Sequence, residues 1–265
     1  MNYQLIDVEP GVALAVRFVC HGDKPVLMFG NSLASDMSMW REVQELLGDS
    51  VSAITYDMRG HGASVSNSRK TDIDVLGQDA LRILDYLEIE KVVYVGLSLG
   101  GLTGMWLAAN HPSRVGGLIL ANTAWSFPPP SMWLERAAVA RRDGLDTLID
   151  ATLNRWLTPR FQSDSVKRAS EIAKMIGSTS PEGYAQCCEA LAGADLRKNL
   201  CDITCPVEVI AGTHDSSTPP EKLREILEII GRGGWQEVNA AHLTAVEAPE
   251  AFVIAVSKLL PDICL

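Results

Sequence analysis

A chain of 265 residues with 47% hydrophobic and 21% charged side chains has ample material for a packed core and lacks the signature of disorder. Its formal net charge of −10 argues against nucleic acid or an anionic membrane surface as the main partner. No apolar run approaches the ~20 residues of a bilayer span, and the opening Met1-Asn2-Tyr3-Gln4 lacks the basic head and apolar stretch of a signal peptide, so a cytoplasmic protein is expected.

From Gln4 the sequence is strand-like, residues 12–19 alternate weakly, and Gly22-Asp23-Lys24-Pro25 reads as a turn. Residues 26–29 are wholly apolar, as in a strand covered on both faces, and residues 51–56 repeat the pattern. Val75, Leu76, Ala80, Ile83, Leu84 and Leu87 fall at helical spacing. Residues 91–95 form a third buried strand, 100–109 the helix after it, and 115–120 a fourth strand. This alternation predicts right-handed crossovers and a mostly parallel sheet, an α/β fold with helices on both faces.

Phe127-Pro128-Pro129-Pro130 interrupts the pattern, and the stretch from Ser131 to about Asp195 is helical throughout. Strands then resume at 207–210 and 235–238, with helices at 223–230 and 252–260. The expected organisation is one sheet domain, 1–125 and 196–265, with a helical cap at 126–195 placed as a lid over a cleft. Cys20, Cys187, Cys188, Cys201, Cys205 and Cys264 form no disulfide framework or zinc spacing and are expected to be buried thiols.

Gly96-Leu97-Ser98-Leu99-Gly100 matches the nucleophile elbow, in which a serine on a strained strand-to-helix turn presents its hydroxyl at the sheet edge. Side chains at the flanking glycines would collide with the neighbouring strand and helix. A serine hydroxyl needs a base, and the base an orienting acid. Downstream of Ser98 the histidines are His111, His214 and His242. His111 ends a helix and His214 abuts Asp215, whereas His242 follows the last strand on a loop over the sheet edge; it is the predicted base. Asp215, just beyond strand 207–210, is the predicted acid. Glu247 and Glu250 are expected to be solvated on a following helix.

Two backbone N–H groups must meet the developing oxyanion. Leu99 supplies one by position, and Leu33, in Gly30-Asn31-Ser32-Leu33-Ala34, the other; Ser32 could add a hydroxyl near the substrate. Asp57-Met58-Arg59-Gly60-His61-Gly62 reads as a tight turn with Asp57 and Arg59 bracing loops. There is no dinucleotide fingerprint, phosphate loop or metal cluster, so no cofactor is expected.

With these residues the chain resembles the α/β-hydrolase superfamily, and more narrowly the 3-oxoadipate enol-lactonases. The narrow likeness rests on Asn31-Ser32-Leu33, Met39-Trp40, Asn122-Thr123-Ala124, Arg155-Trp156, Thr158-Pro159, Phe161, Cys187-Cys188 and Asp195-Leu196-Arg197. It implies hydrolysis of a small enol-lactone to an oxo-dicarboxylate in aromatic catabolism. Ser32, Trp125, Arg136 and Trp156 would line the substrate site, with Arg136, Arg141 or Arg155 meeting an anionic group. Ala34-Ser35 departs from the family's Gly-Thr, and 66–71 lacks its Pro and Gly-Pro-Tyr. A general small-ester carboxylesterase and a small-molecule receptor of the same fold therefore stand as alternatives.

Overall fold

Sheet order follows from which segments are apolar on both faces. Val92–Leu97 (β5) and Val207–Gly212 (β7) are buried at every position, whereas the outermost strand that β7 pairs with is only half-buried. These are central parallel strands, covered by helices on both sides. In the computed structural model, which describes residues 3–67 and 69–260, they belong to an eight-stranded sheet. The remaining strands are β1 (Gln4–Glu9), β2 (Val12–Val19), β3 (Val26–Gly30), β4 (Ser52–Tyr56), β6 (Val115–Ala121) and β8 (Gly234–Val238). Their order is β1-β2-β4-β3-β5-β6-β7-β8; the β1–β2 and β2–β4 pairings are antiparallel and the remaining five parallel.

Register then decides where chemistry can occur. Gly30 pairs with Gly96, Leu97 with Ala121, Ala121 with Ile210 and Gly212 with Val238. The C-terminal ends of β3, β5, β6, β7 and β8 are thus level, and the loops after them share one edge. That is where open α/β sheets bind ligands.

Helices α1 (Arg41–Leu47), α2 (Ile73–Tyr86) and α3 (Leu99–Asn110) cover the first half of the sheet. Sequence periodicity does not predict α1, a short helix entered through a 3₁₀ turn that Asp36 caps by accepting from Ser38 N–H. Asp72 caps α2 by accepting from Val75 N–H, and the face Ile73, Leu76, Ala80, Ile83 and Leu84 is buried. α3 is apolar nearly all round and is buried accordingly.

Between β6 and β7 lie α4 (Pro130–Asp143), α5 (Ile149–Trp156), α6 (Pro159–Asp164), α7 (Val166–Ser178) and α8 (Pro181–Gly193). An isolated bridge between Ser126 and Asp195, with Leu196 N–H donating to Trp125 O at 3.0 Å, brings the two ends of this insert together. The insert rests on the sheet edge through Leu243 N–H to Trp156 O and Ser180 N–H to Gly60 O, both at 3.0 Å. α9 (Pro220–Ile230), α10 (Thr244–Glu247) and α11 (Glu250–Leu259) complete the chain order. No described helix is long and apolar enough to cross a membrane.

Cys187, Cys188 and Cys205 are buried free thiols, but Cys20 and Cys201 are exposed, against expectation. Cys20 lies just past the end of β2, and Cys201 on a 3₁₀ turn that buries Leu200 and leaves the cysteine outside. Cys264 lies outside the described residues.

Candidate active site

Residues with left-handed backbone mark the sheet edge. Of the non-glycine residues with positive φ, Ala34 (62°), Ser98 (57°) and Asn122 (43°) each follow a strand of the parallel sheet. Such conformations are costly and persist where the surroundings force them. Ser98 sits between β5 and α3 with little room around it: a Cβ on Gly96 would overlap the Gly100 carbonyl, and one on Gly100 the Gly30 carbonyl. Small residues are required there because strand, turn and helix approach at backbone contact. Ser98 N–H donates to Ala121 O at 3.0 Å, and Thr123 Oγ1 donates to Ser98 O at 2.6 Å.

His242 is buried on the loop after β8, and its Nδ1 donates to Asp215 Oδ2 at 2.8 Å. The carboxylate is well supplied with donors. Oδ2 also accepts from Thr218 Oγ1 (2.7 Å) and Asn122 Nδ2 (2.8 Å), and Oδ1 from the amides of Ser217 (2.8 Å) and Thr218 (3.1 Å). Burial alone would raise the Asp215 carboxyl pKa. The charge and hydrogen bond of His242, with the Thr218 and Asn122 bonds, outweigh burial and hold it below the ordinary carboxylate value. An ionised acceptor on Nδ1 leaves Nε2 as the ring's free basic nitrogen.

Ser98 and His242 line one cavity of about 350 Å³. Ser32 and Leu33 border it on the β3 side. Leu99 opens α3, so its N–H belongs to the first helical turn, where no intrahelical carbonyl accepts it. Phe127, Met132, Trp133, Arg136, Arg155, Trp156 and Tyr184 come from the insert and its entry, giving largely aromatic walls. The Trp156 ring lies 6.2 Å from that of His242. Arg136 and Arg155 line the cavity together, and among the described residues no Asp or Glu does. Arg136 stacks over Trp133 at 4.8 Å. Arg155 donates to Thr152 Oγ1 at 3.2 Å, and burial first, then the nearby Arg136 charge, lowers its guanidinium pKa.

Two sequence candidates lie elsewhere. Trp125 does not line the cavity: its Nε1 donates to Glu225 at 3.2 Å and Arg197 stacks on its ring. Arg141 is engaged outside it by Glu182 and Glu189. Periodicity separates Arg136 from Arg141 on α4 but cannot say which side faces the cleft.

Three further residues escaped sequence reasoning. Glu247, expected in solvent, accepts from Thr158 N–H (2.9 Å), Thr158 Oγ1 (2.6 Å) and Ala241 N–H (2.6 Å), tying the insert to the loop beside His242. His61 is buried; its Nε2 accepts from Ala34 N–H at 3.0 Å while Nδ1 donates to Arg59 O at 2.8 Å, and burial lowers its pKa to about 4. Asn122 bonds Asp215. His61 had a local signal, the glycine-flanked turn after β4, and Asn122 stood in a stretch of the family likeness that assigned it no role. In that turn Asp57 accepts from Met37 N–H (2.7 Å) and Ala63 N–H (2.9 Å), and Arg59 pairs with Asp79 and Glu9, as bracing requires.

The α/β-hydrolase fold family model matches residues 25–249, most of the chain. The chain belongs to that family. It is 39% identical to 3-oxoadipate enol-lactonase 2 of Acinetobacter baylyi over 94% of this chain and 93% of that protein. It is 33% identical to enol-lactonase 1 of the same organism, over 98% and 97%. Among solved structures it is similar to the enol-lactonase of Burkholderia xenovorans LB400, with a TM-score of 0.91 and 36% identity over 94% of this chain and 97% of that one. Among the described residues of this hydrolase no group of three or more His, Cys, Asp and Glu side chains could hold a metal ion.

Proposed function

We propose that the chain hydrolyses a small lactone bearing a carboxylate, of the 3-oxoadipate enol-lactone type, through an acyl-enzyme on Ser98. The observation that carries this reading is the make-up of the cavity, where Ser98 and His242 meet two arginines and no acidic side chain. Two guanidiniums without a carboxylate partner among the described residues, in a half-enclosed site, favour an anionic ligand. The relatives named enol-lactonases support the choice of lactone.

In this mechanism the lactone carbonyl sits against Ser98, with its carboxylate towards Arg136 and Arg155 and its planar ring against Trp156. His242 Nε2 takes the Ser98 proton as Oγ bonds the carbonyl carbon, while Asp215 stabilises the imidazolium. The N–H groups of Leu33 and Leu99 receive the oxyanion. Collapse breaks the ring C–O bond, and His242 returns the proton to the departing enolate oxygen. Because the substrate is a ring, the enol stays tethered to the acyl-enzyme and becomes the ketone. Water, deprotonated by His242, then adds to the ester carbonyl; Ser98 leaves with the proton and the second carboxylate is freed.

The test is an assay of the purified protein on lactones with and without a carboxylate and on p-nitrophenyl esters, beside Ser98→Ala and Arg155→Leu. Ser98→Ala should lower kcat by about 10³-fold or more. Arg155→Leu should raise KM for the carboxylated lactone and leave neutral esters unchanged. Undiminished turnover by Ser98→Ala would overturn the acyl-enzyme. A preference for neutral open-chain esters would replace the lactone reading with a carboxylesterase.

A further inference from the structure

We infer that Asn122 is a positioning residue of this site, holding the Asp215 carboxylate and the His242 loop in one register; the inference rests on the reading above. Asn122 follows the last residue of β6, is fully buried, and has φ of 43°. Its backbone N–H still donates to Ile210 O at 3.1 Å, so the β6–β7 ladder runs up to it.

Its side chain reaches three separate groups. Nδ2 donates to Asp215 Oδ2 at 2.8 Å and to Ala241 O at 3.4 Å, and Oδ1 accepts from Thr244 Oγ1 at 2.8 Å. Ala241 and Thr244 flank His242, so one amide bridges the acid and both sides of the base's loop. The amide orientation is dictated by its partners, because a carboxylate and a carbonyl can only accept. The position is built to admit this group. A Cβ at Gly212 would come within 2.9 Å of Asn122 Nδ2 and overlap the Ala241 carbonyl. Asparagine also tolerates the left-handed backbone better than other residues carrying a donor and an acceptor. An aspartate of the same shape would set a second carboxylate against the first.

Asn122 thereby sets how tightly the Asp215–His242 pair holds its proton. Each donor on Oδ2 spreads the carboxylate charge that would otherwise hold the imidazolium. Removing the Asn122 donor strengthens that hold, so the basic form of the pair is reached only at higher pH. The charged and titratable side chains around the pair are Arg136 on α4, Arg155 on α5 and Tyr184 on α8 across the cavity, and Glu247 of α10 on Ala241 N–H. His214 is exposed and bonds Asn239. A change at Asn122 leaves all of these in place.

The test is the pH dependence of kcat/KM on a p-nitrophenyl ester for the wild type, Asn122→Leu and Asn122→Asp, with thermal melting of each and Ser98→Ala as control. In Asn122→Leu the acid limb should move up by about one pH unit, the scale of one hydrogen bond to a charged group, and kcat should fall more than KM changes. Asn122→Asp should move the limb further up, since two abutting carboxylates share a proton. A lowered melting temperature with the limb unmoved in Asn122→Leu would overturn the inference. Should Asn122→Leu not fold, the isosteric Asn122→Asp decides alone, an unmoved limb overturning it. Activity surviving in Ser98→Ala would instead remove the reading on which the inference rests.

Discussion

His61 should titrate visibly in the stability of the protein. Its ring is buried and neutral, accepting from Ala34 N–H and donating to Arg59 O, and both bonds need the proton on Nδ1 alone. Protonating Nε2 would remove the acceptor and leave a buried cation; burial outweighs the opposing Arg59 carbonyl and Asp36 charge and lowers the pKa from 6.5 to about 4. The unfolded chain therefore binds this proton before the folded one does. The stability contributed by the neutral ring is fully present above pH 6.5 and is lost as pH falls towards about 4. At about 1.4 kcal/mol per pH unit, that window corresponds to about 3 kcal/mol. Urea unfolding of the wild type and His61→Gln at pH 7 and pH 4 measures it, since glutamine can donate and accept but does not titrate. The stability difference between the two proteins should shift by about 3 kcal/mol, in favour of the variant at low pH. Parallel pH curves would refute a neutral, buried His61. Because Ala34 adjoins Leu33, the same protonation should also disturb the proposed oxyanion loop.

Two further outcomes are expected at the junction of insert and sheet. Gly183→Ala would place a Cβ 2.5 Å from Gly60 Cα, a backbone contact that cannot yield as a side chain would. The strain, about 1–3 kcal/mol, should exceed the ~1 kcal/mol gain in helix propensity, so calorimetry should show a lower Tm; an unchanged or higher Tm would contradict the close approach. Glu247→Ala strips acceptors from Thr158 and Ala241, and should lower kcat/KM about tenfold, or ~1.4 kcal/mol, the scale of a lost charged hydrogen bond. Glu247→Gln should do no better, because its amide nitrogen would face one of the N–H groups the carboxylate now accepts from; full activity in Glu247→Gln would sink this account.

Local signals carried much of this molecule. Two-faced apolar runs gave the central strands, a 3.6-residue period gave α2 and α9, and the Gly-x-Ser-x-Gly spacing marked the tight turn around Ser98. Chain order and loop position selected Asp215 and His242, which the structure brings into hydrogen bond. The strands, helices and tight turn are each encoded within a few residues, so the sequence by itself determined them; the choice of Asp215 and His242 drew on their order along the whole chain. The partners that surround them are not local. Asn122 lies 93 residues from Asp215, and Glu247 is 89 from Thr158. An asparagine after a strand, or a glutamate on a short helix, looks like any surface polar residue until the chain folds. The same holds for the arginines: Arg136, Arg141 and Arg155 share a composition, and only the packing of the insert turns two towards the cavity and one towards Glu182 and Glu189. Trp125, expected beside the substrate, lies away from the cavity for the same reason, since its neighbours Arg197 and Glu225 arrive from beyond the insert. Sequence thus determined the elements and proposed the reactive side chains, through short-range periodicity, sterics and chain order. Tertiary structure alone decided which polar groups they meet, because burial and long-range approach select those partners.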